Sequence, residues 1–355
     1  MKKILIIQNV ISKYRVPVYN KLSEKYDVTV VYSYNEKDKE AKTFKSKKIG
    51  VFKIYKFLIH RKSLYKICKK YDVVIALWGI NWISIMELAI LPRKFKLILW
   101  GIGVSASYKV RYDSIKKWDF LNVFLIRHSD AVLFYSEYPV KKYLKLGMHR
   151  EKLFVANNTV NIYDCNEVNY EKNCILFIGS LYKGKRIDIL IDCYNKALIK
   201  NFNIPKLYII GAGDEFEVLK KYIIKLGLEN QIELKGEIFD EKILAKYFKS
   251  SIACFSPDQA GLSVLKAMGY GVPFITMKNA ITGGEIFNIK NNINGILLDE
   301  IYEIEDIILD ITINKEKYIN MGKKAREHYF MKCTIEKMIE GFENAIEYVC
   351  LKTYI

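Results

Sequence analysis

The residues whose types and spacing could carry chemistry concentrate between Ile252 and Pro273. An apolar run, Ile252 to Phe255, leads into Ser256-Pro257-Asp258-Gln259-Ala260-Gly261-Leu262-Ser263. A helical pattern follows through Lys266-Ala267-Met268 to Gly269-Tyr270-Gly271-Val272-Pro273. Small residues at a strand-to-helix turn let backbone N–H groups approach an anion, and the start of the helix adds partial positive charge. Such a turn is a phosphate cradle. Asp258 and Lys266 are eight residues apart, so a helix beginning near Gly261 would let both look toward one cleft. Spacing alone also admits an ordinary strand-turn-helix with a surface Asp and a surface Lys. A second glycine pair, Gly211-Ala212-Gly213, follows an apolar run, but the third glycine of a dinucleotide fingerprint is missing.

The elements that must position these residues are short β-branched runs with helical patterns between them, the signature of a parallel sheet covered on both faces. In the first half the candidate strands are Ile4 to Ile7, Val28 to Tyr32, Val73 to Leu77, Leu97 to Trp100, Ala131 to Tyr135 and Leu153 to Ala156. In the second they are Ile175 to Ile178, Leu207 to Ile210, Ile232 to Leu234, Ile252 to Phe255, Phe274 to Thr276 and Ile296 to Leu298. Most are continuous apolar runs, as strands buried on both faces require. The polar stretch from Asn157 to Asn173 separates the two series. The expected organisation is therefore an α/β domain over 1–160, a linker over 161–173 and a second α/β domain over 174–334. A terminal helix over 335–355 is expected to return to the first domain. The charged stretch Asn35 to Lys48 reads as a mobile loop.

A chain of 355 residues with a formal net charge of +18 has room for two cores and favours anionic partners. Nucleic acid is not favoured, because no RRM, zinc-finger or helix-turn-helix pattern accompanies the basic residues. Seven scattered cysteines without a Cys-x-x-Cys imply a reduced, cytoplasmic chain and no metal site. The start, Met1 to Asn9, reads as a strand rather than a signal segment, and Ala76 to Leu91 is too interrupted to span a membrane. Two basic stretches that include aromatic residues, Lys53 to Lys70 and Ile115 to Arg127, would suit an anionic membrane surface, or in the second case a core-facing helix with a solvated basic side.

Several motifs in one order resemble the retaining glycosyltransferases of family 4, the glycosyl transferases group 1. These are Ile178-Gly179-Ser180-Leu181 with Lys185-Arg186-Ile187, Ile209-Ile210-Gly211-Ala212-Gly213, Lys235-Gly236-Glu237, the run from Ser256 to Pro273, Gly283-Gly284-Glu285 and Asn294-Gly295. The resemblance covers nearly all of the second half and implies a GT-B fold: two Rossmann-like parallel-sheet domains facing a central cleft. It implies further that Ala260, Gly261, Leu262 and Ser263 offer the donor diphosphate a main-chain cradle and that Lys185 adds a side-chain charge, with Gly179 and Gly211 at the neighbouring strand ends. Asp258 stands where the family contacts hydroxyls of the transferring sugar and is the candidate catalytic residue. Gly236, Glu237 and Ile238 stand where the nucleobase is held, and Glu285 completes the donor-binding set.

Three positions depart from the family. Lys266 replaces a glutamate that accepts from the ribose, which an ammonium cannot do. Ser180 replaces a phosphate-binding arginine, and Ile102 stands where related proteins carry a histidine. In the first half Tyr14-Arg15-Val16-Pro17 replaces a glycine-rich turn, making Tyr14 and Arg15 candidates for a donor or acceptor phosphate; a surface Arg beside a turn proline is the alternative. His128 reads as structural.

The expected function is transfer of a sugar from a nucleotide-sugar donor to a glycan or lipid-linked acceptor, with retention and without a metal or other cofactor, in surface-polysaccharide or glycoconjugate assembly. The expected location is cytoplasmic, with peripheral attachment at the inner face of a membrane kept open. A catalytically silent paralogue that binds nucleotide sugar and a sugar-nucleotide epimerase are the competing readings.

Overall fold

A computed structural model describes residues 1–34, 41–105, 112–113, 119–163 and 170–351, the side chain of Asp119 excepted. They divide into two compact units, one built on Met1–Ser105, Asp113–Thr159 and the C-terminal segment from Thr334, the other on Val160–Cys333.

The strands of the first unit are β1 (Lys3–Gln8), β2 (Asp27–Tyr32), β3 (Lys45–Lys48), β4 (Val51–Ile54), β5 (Phe57–His60), β6 (Val73–Leu77), β7 (Lys96–Gly101), β8 (Ala131–Phe134) and β9 (Leu153–Val155). Its helices are α1 (Val16–Ser23), α2 (Leu64–Cys68), α3 (Ile83–Ile90), α4 (Asp119–His128) and α5 (Tyr138–Lys145). Seven strands pair in the order β3-β2-β1-β6-β7-β8-β9, all in parallel. The unbroken apolar run of β1 has a direct cause in this arrangement. Ile4 and Ile6 pack on one face with Tyr19 and Trp100, while Leu5 and Ile7 pack on the other with Leu88 and Leu99. Side chains alternate between faces, so a strand covered on both must be apolar throughout.

In the second unit the strands are β10 (Cys174–Ile178), β11 (Lys206–Ile210), β12 (Ile232–Gly236), β13 (Ser251–Phe255), β14 (Gln259–Ala260), β15 (Phe274–Met277), β16 (Ile281–Thr282) and β17 (Gly295–Leu298). The helices are α6 (Ile187–Lys200), α7 (Phe216–Lys225), α8 (Glu241–Ser250), α9 (Leu262–Gly269), α10 (Glu303–Ile313) and α11 (Lys315–Lys332). Its six-stranded sheet has the order β12-β11-β10-β13-β15-β17, again parallel. The last helix, α12 (Ile335–Leu351), buries Met338, Phe342, Ala345 and Ile346 in the core of the first unit. A Cβ on its Gly341 would lie 2.3 Å from the Val155 carbonyl oxygen, so only glycine lets helix and strand come this close.

The expected strands all form, and five further ones appear: β3, β4, β5, β14 and β16. The stretch read as a mobile loop is corrected in part, because Lys45–Lys48 forms the edge strand β3 in register with Thr29–Tyr32. All four of its residues are exposed, so no apolar alternation marks it, and lysines on a sheet edge discourage further pairing. Residues 35–40 of that stretch lie outside the described residues, as do 164–169 of the linker and Ile115 to Trp118 of the second basic segment. The remainder of that segment is α4, which buries Leu125 and Ile126 and exposes Phe120 and Phe124.

Candidate functional site

In the second sheet the chain moves outward from β10 to β11 and β12, then returns to place β13 on the other side of β10. The order reverses between β10 and β13. In an open parallel sheet the two loops leaving the carboxyl ends of such a pair turn in opposite directions and leave a crevice that ligands occupy. The loop after β10 carries Gly179 to Lys185, and the loop after β13 carries Ser256 to Gly261. The residues of these two loops singled out from sequence are thus brought to one strand-pair edge.

Glycine permits the close packing of the loops at this edge. Gly179, Gly211 and Gly213 have φ of 150°, 151° and 154°. A Cβ on Gly211 would lie 1.9 Å from the Gly179 carbonyl oxygen, and one on Gly213 would lie 2.1 Å from that of Leu181. The backbones touch there, joined by Gly179 N–H to the Ile210 carbonyl at 3.0 Å and Leu181 N–H to the Ala212 carbonyl at 2.8 Å. Gly236, at φ 67°, accepts from the Gly211 N–H at 2.8 Å and so ties the end of β12 to the end of β11. Glu237 beside it is exposed and Ile238 half-buried.

Lys185 closes a short 3-10 turn, Lys183–Lys185, and the left-handed Arg186 (φ 54°) then redirects the chain into α6. The lysine is tucked inward and only 6% exposed, with its Nζ 3.1 Å from where a Cβ on Gly179 would sit. Burial pulls its pKa down to about 8, and the Cys254 thiol acts to raise it. That thiol is itself pushed well up by burial and stays neutral at ordinary pH. Among the described residues no carboxylate compensates the buried ammonium, an arrangement that costs stability unless an anion is supplied from outside.

Across the crevice, Ser256 is fully buried and its hydroxyl donates to the Gln259 carbonyl at 2.7 Å. Gln259 and Ala260 form β14 against Ile281 and Thr282 of β16, and the Tyr182 hydroxyl donates to Gln259 Oε1 at 2.6 Å. The Lys185 loop is therefore bonded to the segment leading into α9. Gly261 caps that helix without any side-chain acceptor, and a Cβ added there would meet nothing within 4 Å. The first N–H groups of α9, at Leu262 and Ser263, are the donors a helix leaves unsatisfied at its start. Both residues are half-buried, while Val264 and Leu265 behind them are fully buried. Asp258 is half-buried on the same loop, its carbonyl accepting from Ile281 N–H at 2.9 Å.

Two of the expected donor-site residues are engaged locally. Lys266 Nζ lies 2.7 Å from the carboxylate of Glu241 at the start of α8, a partner that sequence spacing gave no means of finding. Glu285 is 5% exposed, and its carboxylate accepts from Gly283 N–H at 3.0 Å and the Thr282 hydroxyl at 3.4 Å, so it shapes its own loop.

Tyr14 and Arg15 belong to the first unit, after β1, at the point where that sheet also reverses, between β1 and β6. Arg15 is not a surface residue: it is 4% exposed, with its guanidinium 4.9, 4.8 and 5.0 Å from the ring centres of Tyr14, Trp100 and Tyr135 and donating to Met338 Sδ at 3.2 Å. Cation–π contacts stand where a carboxylate would ordinarily be. His128 is exposed, its Nδ1 2.8 Å from the Phe124 carbonyl one helical turn back.

Residues 164–328 match the family model described as Glycosyl transferases group 1. The chain is 28% identical over 196 residues to the poly(ribitol-phosphate) alpha-N-acetylglucosaminyltransferase of Staphylococcus aureus, covering 55% of this chain and 39% of that one. Anabaena HepE in complex with UDP superposes with a TM-score of 0.73 at 15% identity, over 98% of this chain and 100% of that one. A mutant of S. aureus TarM in complex with Fondaparinux, alpha-GlcNAc-glycerol and UDP gives a TM-score of 0.70 at 16% identity, over 97% and 99%. The fold is GT-B, and the 164–328 segment is similar to the glycosyl transferases group 1 family. This chain spans half or less of the length of the first curated relatives it matches, 39% and 50%.

Proposed function

We propose that this chain is a glycosyltransferase that moves a sugar from a nucleotide-sugar donor to a glycan or lipid-linked acceptor in surface-polysaccharide or glycoconjugate assembly. The observation that carries the reading is the ammonium of Lys185, without a compensating carboxylate among the described residues and buried beside Gly179 on a loop that Tyr182 bonds to the approach to α9. As the anomeric carbon becomes cation-like, the departing diphosphate gains negative charge, and donors fixed in advance stabilise it most. Lys185 and the uncapped N–H groups of Leu262 and Ser263 are such donors. Asp258, on the same loop, is the candidate contact to the transferring sugar.

The UDP in the HepE and TarM structures supports a uridine diphosphate sugar as donor. The activities named for the S. aureus and Bacillus subtilis relatives, on poly(ribitol-phosphate) and poly(glycerol-phosphate), support a phosphate-rich or polyol-phosphate acceptor. Arg15, buried among aromatic rings and without a carboxylate partner among the described residues, is the first unit's candidate for an acceptor phosphate. Transfer is read as retaining and independent of metal, since the main-chain donors and Lys185 supply the charge a metal would otherwise bring. An anionic membrane surface is the further partner that the basic segment of the first unit favours.

The test is UDP release by purified protein from a panel of UDP-sugars, with and without polyol-phosphate acceptors. Acceptor-dependent release with retained anomeric configuration, unaffected by EDTA, is expected. Sugar interconversion without an acceptor would indicate an epimerase, and UDP binding without turnover of any donor would indicate a silent paralogue.

A further inference from the structure

The β4–β5 hairpin of the first unit is apolar on its outer face. Opposed residues of an antiparallel pair share a face, and the register pairs Phe52 with Ile59 and Ile54 with Phe57. The alternate residues hold the hairpin to the unit. Val51 and Leu58 pack on its core, the Leu58 N–H donates to the Asn81 carbonyl at 2.8 Å, and the buried His60 bonds through its N–H to Ser84 Oγ at 2.9 Å. The inner face is therefore anchored. On the other face and at the turn, Phe52, Ile54, Tyr55 and Phe57 are 54%, 61%, 83% and 39% exposed. A two-stranded surface hairpin ordinarily presents polar residues outward, so four large apolar side chains gathered at one tip mark a contact surface.

Charge selects among the surfaces that could meet it. Residues 41–71 contain eleven Lys and Arg and no Asp or Glu. Lys56 lies 5.5 Å over the Tyr55 ring and Arg61 4.9 Å over that of Phe52, so cations ride directly on the apolar face. A second copy of the chain would bring two such basic hairpins together and is disfavoured by repulsion. Apolar side chains ringed by cations match a bilayer interface, where the rings enter the acyl boundary and the ammonium and guanidinium groups meet anionic headgroups. We propose that this hairpin is the element by which the protein docks on an anionic membrane, with Phe52, Ile54, Tyr55 and Phe57 inserted and Lys56 and Arg61 at headgroup level. This deepens the membrane partnership proposed above and does not depend on the sugar-transfer chemistry.

The test is co-sedimentation of the full chain with vesicles of phosphatidylcholine alone and of phosphatidylcholine with phosphatidylglycerol, comparing wild type with Phe52→Thr/Ile54→Thr and with Lys56→Gln/Arg61→Gln. Threonine keeps the strand propensity of these exposed positions, and circular dichroism checks that the variants fold. Wild type is expected to bind the anionic vesicles only, with affinity falling about tenfold or more in each variant while UDP binding is unchanged. Undiminished binding by the threonine variant would overturn the hairpin assignment and leave the membrane partnership to another surface. No binding by wild type would overturn both. A self-association of wild type in light scattering that the threonine variant abolishes would assign the face to a second copy and overturn the proposal.

Discussion

The ammonium of Lys185 lies 3.1 Å from the point where a side chain on Gly179 would begin, so the absence of that side chain is what lets a buried cation sit at the end of β10. The charge is held there at a cost, because burial disfavours it and, among the described residues, no carboxylate offsets it. Replacing it with an apolar side chain of similar length, Lys185→Met, is expected to raise the stability of the ligand-free protein by about 1–3 kcal/mol at neutral pH, measured by urea denaturation. A loss of stability of that size would mean the ammonium already has a compensating partner.

The same group sets a pH dependence. Its pKa in the folded chain, about 8, lies below the ordinary lysine value of 10.5, so the unfolded chain binds more protons between the two values. Stability contributed by this residue therefore rises with pH across that window, opposite to a salt-bridged lysine. Affinity for a diphosphate runs the other way: the ammonium is charged below pH 8 and neutral above it, so UDP binding should weaken as pH rises through about 8, approaching tenfold per unit. Titrations across this range should show the fall in wild type and a flat profile in Lys185→Met. A flat wild-type profile would count against the contact.

Two glycines of the crevice should respond in opposite ways to alanine. A Cβ on Gly211 collides with a backbone oxygen at 1.9 Å, at φ 151°, so Gly211→Ala is expected to cost about 3 kcal/mol or more by separating the loops after β10 and β11. Gly261 has φ −104° and open space around it, so Gly261→Ala should change stability by less than about 0.5 kcal/mol. The new methyl instead stands at the mouth of α9 and should lower UDP affinity. Denaturation and UDP titration of the two variants separate these effects.

Lys266 is ion-paired with Glu241, with side-chain exposures of 17% and 40%. Such a partly exposed pair contributes about 1 kcal/mol or less, and a lysine so engaged has no need of a ligand. Lys266→Gln is expected to leave UDP affinity within about twofold and stability within that margin. An affinity loss beyond tenfold would show that the ammonium leaves Glu241 to meet the nucleotide.

The parallel strands were legible because burial on both faces forces unbroken apolar runs, as in Ile4 to Ile7 and Ile252 to Phe255. The lysine strand Lys45–Lys48 was not, since its pairing comes from the edge of β2 and leaves no mark in its own residues. Within the candidate site the glycines and Lys185 stood out by type and order. What sequence could not supply were contacts made across the fold: Tyr182 to Gln259, Lys266 to Glu241, and the aromatic enclosure of Arg15 by Tyr14 after β1, Trp100 of β7 and Tyr135 after β8. The basic stretch from Lys53 was readable as charge and aromaticity, but only the hairpin register sorts its side chains into an anchored face and an exposed one.

Calorimetric titration of UDP into wild type and Lys185→Met at pH 7 tests the central claim most directly. Saturable binding by wild type, weakened about tenfold or more in a folded Lys185→Met, is the predicted result. Equal affinity in the two proteins, or no UDP binding by a folded wild type, would contradict a diphosphate site at the ends of β10 and β13.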